Sequence, residues 1–133
     1  MSNEIKILNA CSNKKGLIRI IGRNGAGKTR LCHSMALFLT EEGYSISFII
    51  QPAYNPLIGC KNEFSKMYKF LDDCISVGID MIIFDEVEAG LHLSQQEELL
   101  DILTNYSERV AIMFTTHSPL MLGDINFGKI IEL

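Results

Sequence analysis

Eight consecutive residues, Gly22-Arg23-Asn24-Gly25-Ala26-Gly27-Lys28-Thr29, restrict what this chain can fold into more than any other stretch. They fit the phosphate-binding pattern G-x-x-x-x-G-K-[ST]. A loop that wraps a polyphosphate must turn several backbone N–H groups inward, and side chains would block that approach. Gly22, Gly25 and Gly27 remove the obstruction and admit positive φ. Lys28 adds a mobile cation for the β- and γ-phosphates, and the Thr29 hydroxyl is a ligand for Mg²⁺. The next helix starts here and contributes its N–H donors and positive dipole end. The nucleotide-binding residues are therefore read as Gly22, Arg23, Asn24, Gly25, Ala26, Gly27, Lys28, Thr29 and Arg30.

The context fits. Leu17-Ile18-Arg19-Ile20-Ile21 reads as a strand entering the loop, and Leu31, Met35, Phe38 and Leu39 recur beyond it at helical spacing. A chance glycine turn before a helix is the plainer alternative, and the order strand–loop–helix argues against it.

At 133 residues the chain suits one compact domain, read as a single unit over 1–133. A net charge of −4 gives no support for bulk nucleic-acid binding. Cys11, Cys32, Cys60 and Cys74 form no C-x-x-C pair and are read as reduced thiols of a cytoplasmic protein. The N-terminus lacks the basic-then-apolar layout of a signal peptide, and no apolar run approaches the ~20 residues of a membrane span.

In chain order, Ile5-Lys6-Ile7-Leu8 alternates weakly and suggests a short strand, hairpinned into the next through the turn residues of 9–16. Lys14 and Lys15 belong to that turn, solvated or near a nucleotide. The helix opening at Lys28 runs to about Thr40 and closes at Gly43. Tyr44–Ile50 reads as a strand, followed by Gln51 and an irregular loop marked by Pro52, Asn55, Pro56 and Gly59. A second helix follows Asn62 as N-cap, with Phe64, Met67, Tyr68, Leu71 and Ile75 on one face. That stripe is core rather than a cofactor box.

Met81-Ile82-Ile83-Phe84-Asp85-Glu86 is a buried strand ending in two acids, the Walker B pattern. Asp85 would hold the Mg²⁺ shell, and Glu86 would orient and polarise an attacking water. Ser94-Gln95-Gln96-Glu97 reads as the capping box of a third helix, with Leu99, Leu103 and Tyr106 buried. Val110–Thr115 is another buried strand, ending at Thr116-His117-Ser118-Pro119. A histidine there stands on the active edge of the sheet and can donate to a γ-phosphate oxygen, or else caps a short helix. His33 reads as structural, and His92 has a weaker case than His117. Lys129–Leu133 closes the chain as a strand. Alternating strands and helices predict a three-layer α/β fold, a mostly parallel sheet with helices on both faces.

Taken together, the P-loop, the run Phe84-Asp85-Glu86-Val87-Glu88-Ala89-Gly90-Leu91-His92 and the switch Thr116-His117-Ser118-Pro119 resemble the ABC-type ATPase superfamily. Within it they resemble the non-transporter branch, with its OLD-like, SMC-like and small AAA-like members. The resemblance covers the core of the whole chain. It implies a P-loop NTPase fold with the His117 strand between the P-loop and Walker B strands. It also implies ATP and Mg²⁺ as cofactors. Residue by residue it implies Thr29 and Asp85 on Mg²⁺, Gln51 as the Q-loop glutamine on Mg²⁺ and the attacking water, Glu86 as catalytic glutamate and His117 as γ-phosphate sensor, with Lys28 on the triphosphate.

Members of that superfamily act as ATP-sandwich dimers completed by an L-S-G-G-Q-like signature. This chain has no such signature. The nearest stretch, Phe64-Ser65-Lys66-Met67-Tyr68, sets Lys66 and Met67 where small residues are needed for close backbone approach. Val87 stands where proline is usual. Only 57 positions separate Lys28 from Asp85, so the helical subdomain is expected to be reduced. Three functions follow from the sequence. One is a compact ATPase hydrolysing Mg-ATP as a dimer or complex subunit. Another is a nucleotide-binding switch that regulates an effector chain. A third is a small P-loop kinase, which the scattered Arg19, Arg23, Arg30 and Arg109 argue against.

Overall fold

Parallel strands Gly16–Ile21 (β1), Ile46–Ile50 (β2), Met81–Asp85 (β3), Ala111–Thr116 (β4) and Lys129–Glu132 (β5) form one sheet in the order β2-β3-β4-β1-β5. The computed structural model describes residues 2–10, 13–52 and 64–133. Helices Asn3–Ala10 (α1), Lys28–Glu41 (α2), Ser65–Ser76 (α3) and Leu93–Tyr106 (α4) flank the sheet, and a short 3-10 helix spans Pro119–Leu122. The strand ending at Thr116 lies between the strand that enters the P-loop and the strand that ends in Asp85, as the resemblance implies.

β3 and β4 are buried along their whole length, which is why they read as unbroken apolar runs rather than alternating ones. Their alternate residues feed two cores. Ile82, Phe84, Ile112 and Phe114 pack against Met67 and Leu71 of α3 and Leu99 and Leu103 of α4. Met81, Ile83, Ala111 and Met113 pack with Ile18 and Ile20 against Leu31, Met35 and Leu39 of α2. The result is the three-layer α/β fold expected from the sequence.

The N-terminal segment corrects one expectation. Residues 5–8 form part of α1, not a strand, and no hairpin enters β1. Both edges of β1 are already taken, by β4 and β5, so a hairpin partner has nowhere to pair. A strand would also put Ile5 and Ile7 on one face, whereas Ile7 is fully buried and Ile5 exposed. Helical spacing brings Glu4 and Ile7 to α2 instead: the Ser34 hydroxyl donates to Glu4 Oε1 at 3.1 Å, and Ile7 joins the α2 core. The Ser2 hydroxyl accepts the Ile5 N–H at 3.3 Å and so caps the start of the helix. Lys14 sits in the turn and pairs with Asp80 at 3.2 Å.

α4 begins two residues earlier than its expected capping box. His92 is the N-cap residue, and the Gln95 side chain accepts its N–H at 2.9 Å. The α3 stripe is core at Phe64, Met67 and Leu71, while Tyr68 is largely exposed. The loop residues Asn55, Pro56 and Gly59, the cap Asn62 and the thiols Cys11 and Cys60 lie outside the described residues. α2 closes as expected: Gly43 has φ +91, and the Tyr44 N–H reaches back to the Leu39 carbonyl at 2.9 Å. No helix among the described residues is long and apolar enough to cross a membrane.

Cys32 and Cys74 are free, buried thiols. Burial first, and then the Asp85 carboxylate, push Cys32 up to about 12; burial also raises Cys74. The thiolate is the reactive form, so both sites are expected to resist iodoacetamide in the native protein at neutral pH and to react fully once unfolded, read site by site by mass spectrometry. Because the folded state prefers the protonated thiol, this contribution to stability is complete below the unfolded-state pKa near 9 and is lost as pH climbs from there through about 12.

Candidate functional site

The P-loop begins where β1 ends. The Ala26 N–H bonds back to the Arg23 carbonyl at 3.1 Å, and the loop turns into α2 at Gly27, whose φ is +100. Gly25 also has positive φ, and a Cβ built on either glycine would meet nothing within 4 Å. Protein packing therefore does not demand glycine at these two positions. The backbone conformation demands it, and the space left over is open for a ligand. The Lys28 ammonium is folded onto the Gly22 carbonyl, and the residue is 5% exposed. A cleft of about 530 Å³ is lined by Arg23 through Arg30 together with Glu86.

Asp85 is the hub of the site. It is 3% exposed, and both its oxygens are engaged. The Thr29 hydroxyl donates to Oδ2 at 2.7 Å, and the Thr115 hydroxyl donates to Oδ1 at 2.6 Å. The Thr115 oxygen in turn accepts the Glu86 N–H at 2.8 Å. One chain of hydrogen bonds thus ties α2, β3 and β4 together at the carboxyl end of the sheet. Thr29 and Asp85 present hard oxygen donors side by side, a set that suits Mg²⁺.

Glu86 has φ +53, a left-handed conformation uncommon for a residue with a side chain. That turn carries its carboxylate toward the P-loop cleft instead of along the strand direction. Gln51, also with positive φ at +46, donates from Nε2 to Glu86 Oε2 at 2.5 Å, and its N–H bonds to the Asp85 carbonyl at 2.8 Å. Gln51, Asp85 and Glu86 are thus brought together from two adjacent strands, as their positions after β2 and β3 imply.

His117 follows β4. Its ring is about half exposed and lines a second cleft, of about 630 Å³, with Gly22, Arg23 and Asn24. The two clefts share Arg23 and Asn24, so His117 and Glu86 flank the same loop. Ser118, not His117, is the N-cap of the 3-10 helix. Arg19, buried in β1, donates to the carbonyls of Leu122 and, at 2.9 Å, Asp124, anchoring the segment beyond that helix. His33 packs edge-on against Phe48, with ring centroids 5.0 Å apart, away from these groups.

Sequence reasoning assigned no role to Thr115, Glu88 or Gln96. Thr115 looked like the last residue of a buried strand, and Glu88 like one more acid after two. Glu88 is in fact 3% exposed and accepts the His117 N–H at 3.3 Å. Gln96 accepts from the Ser118 hydroxyl at 2.6 Å.

Residues 65–123 match the family profile described as "AAA domain, putative AbiEii toxin, Type IV TA system". A "Putative ABC transporter ATP-binding protein" of Lactobacillus johnsonii is 29% identical over 94 residues, 71% of this chain and 16% of the relative. Among solved structures, the replication initiator DnaA bound to AMPPCP and single-stranded DNA superposes with a TM-score of 0.58 at 16% identity, over 96% of this chain and 44% of that one. The pilus retraction motor PilT with bound ADP gives 0.56 at 18% identity, over 89% and 35%. The chain therefore spans less than half the length of each of these three relatives. The structural likenesses identify the P-loop NTPase fold.

Proposed function

We propose that this chain, which fits a small ABC-type P-loop ATPase, binds Mg-ATP and hydrolyses it to ADP and phosphate, with residues 1–133 acting as one P-loop domain. The observation that supports the reading is the chain Thr29–Asp85–Thr115–Glu86, which joins two oxygen donors suited to Mg²⁺ and the Gln51-held Glu86 carboxylate beside the open glycine-rich cleft.

In this reading the backbone N–H groups of 22–29 and the start of α2 hold the triphosphate. Lys28 moves from the Gly22 carbonyl to the β- and γ-phosphate oxygens. Thr29 and Asp85, with Gln51, would hold Mg²⁺, which would supply neutralising charge against the triphosphate. Glu86 orients a water for in-line attack and takes its proton, while Gln51 fixes the Glu86 carboxylate. His117 donates to a γ-phosphate oxygen from the far side of the P-loop.

The absent signature favours a second reading, a nucleotide-dependent switch subunit that acts on an effector chain. Met67 is 5% exposed within the α3 core, so this turn of α3 offers no close backbone approach to a second nucleotide. Turnover per protomer, measured across a wide range of protein concentration, separates the two. A rate that rises with concentration is expected if two copies complete each other's site. Tight Mg-ATP binding with no turnover at any concentration would sink the autonomous ATPase and leave the switch. Either way the site of action is expected to be cytoplasmic, with an assembly of this chain or an effector as partner.

A further inference from the structure

We infer that Thr115 is a positioning residue: its hydroxyl ties the Asp85 carboxylate to the turn that carries Glu86, so that the metal-side acid and the base are held as one unit. The inference rests on the reading of Asp85 as a Mg²⁺ ligand and Glu86 as the general base.

The register of the sheet puts the three residues together. Phe84 of β3 pairs with Phe114 of β4. Asp85 and Thr115 follow, each one residue further along its strand, so both turn to the opposite sheet face from the two phenylalanines. That face is the one α2 covers, over Met81, Ile83, Ala111 and Met113. Thr29, at the start of α2, reaches Asp85 from the same side. Thr115 is fully buried there. Thr116 alternates to the other face, and its hydroxyl accepts the Ser118 N–H at 3.0 Å. The two threonines ending β4 thus have separate tasks: Thr116 supports the loop of His117, and Thr115 serves the two acids.

Hydrogen-bond direction fixes what Thr115 does. A backbone N–H can only donate, so the Thr115 hydroxyl oxygen accepts from Glu86 at 2.8 Å. The single hydrogen of that hydroxyl then goes to Asp85 Oδ1, 2.6 Å away. The Thr115 carbonyl takes the next N–H of the turn, that of Val87, at 3.3 Å. Two successive amides are therefore held by this residue. Glu86 turns there at φ +53, a conformation that persists only where the surroundings impose it. Gln51 restrains the far end of the Glu86 side chain, and Thr115 holds its root. β-Branching leaves the Thr115 hydroxyl few rotamers, so the link is stiff. Valine has nearly the same shape and no hydroxyl. It would strand the buried-side Glu86 N–H and release Asp85 Oδ1 in a single change, while the Thr29 contact to Oδ2 and the P-loop stay as they are.

Amide hydrogen exchange, read by NMR on the nucleotide-free chain, is combined with steady-state kinetics on ATP at varied Mg²⁺ for the wild type, Thr115→Val and Thr115→Ser. The wild-type Glu86 amide is expected to exchange at least about tenfold more slowly than in an unstructured chain. Thr115→Val should abolish that protection, lower kcat by about 10- to 10²-fold and raise the Mg²⁺ concentration for half-maximal rate about tenfold, the range for removing a group that orients a metal ligand. KM for ATP at saturating Mg²⁺ should stay within about threefold, because Lys28 and the amides of 22–29 are untouched. Thr115→Ser, which restores the hydroxyl, should recover protection and kcat to within about threefold of wild type. An unprotected Glu86 amide in the wild type would overturn the inference and needs no variant to fold. So would wild-type protection in Thr115→Val, a Thr115→Ser that behaves as the valine does, or an unchanged kcat for Thr115→Val in an active enzyme. If the wild type shows no turnover, it is the hydrolysis reading that fails, and the exchange arm alone decides the role of Thr115.

Discussion

Glu86→Gln is expected to bind Mg-ATP with near wild-type affinity and to lose turnover by about 10²- to 10⁴-fold, the range for removing a positioned general base. The carboxylate is not part of the cradle itself. Its N–H is fixed by Thr115 and its Oε2 by the Gln51 amide. The amide variant keeps the volume and an oxygen that can still accept from Gln51. It also leaves Thr29, Asp85 and Lys28 untouched, so binding should survive. What it loses is the capacity to take a proton from water, and no adjacent group replaces that capacity. Asp85 has both oxygens engaged by threonine hydroxyls, and Glu88 is buried against His117. Calorimetric binding of Mg-ATP beside single-turnover kinetics makes the check. Unchanged turnover would remove Glu86 from the mechanism. Lost binding would reassign it to the cradle.

The parts of the molecule legible in the sequence share a physical cause. The P-loop needs glycine at 25 and 27 because its backbone turns there with positive φ, which no other residue adopts cheaply, whereas at Gly22 a Cβ would crowd Ala26 and Leu133. The runs at 81–85 and 111–116 are unbroken because strands covered on both faces alternate between two apolar cores instead of core and solvent. Those constraints are local, and local constraints survive in a sequence. The first eight residues failed for the opposite reason. Ile5, Ile7 and Leu8 fit either period over so short a span, and what decides between them is the occupied edges of β1. One of those edges is filled by β5, more than a hundred positions away. The pairing of Glu88 with His117, and that of Thr115 with both Asp85 and Glu86, likewise depend on β3 and β4 lying side by side. A buried acid and a solvated one look alike in sequence, and a strand-end threonine carries no mark of the two carboxylates it serves. The positive φ at Gln51 and Glu86 was equally invisible, since neither residue type favours it.

Lys28→Ala is expected to weaken Mg-ATP binding by about 10²-fold or more, with little change in the melting temperature of the nucleotide-free protein. The ammonium is buried and held on the Gly22 carbonyl, six positions back. That contact closes the loop on itself and links no distant elements, so its loss costs the fold little. The nucleotide complex is different. Lys28 would exchange one neutral carbonyl for anionic phosphate oxygens, and hydrogen bonds to charged groups contribute roughly 1.5–3 kcal/mol each. Two such contacts correspond to about 10²-fold or more in affinity. Arg30 and Arg23 line the same cleft but do not take over. A guanidinium is a planar fork, whereas the lysine ammonium is a compact point charge already folded into the loop on the Gly22 carbonyl. The measurement is the Mg-ATP dissociation constant together with thermal melts with and without nucleotide. In the wild type, nucleotide should raise the melting temperature by mass action, and in Lys28→Ala that rise should vanish at the same concentration. A dissociation constant within about threefold of wild type would mean that the backbone amides of 22–29 hold the triphosphate without the lysine, and the cradle would then be the whole binding site.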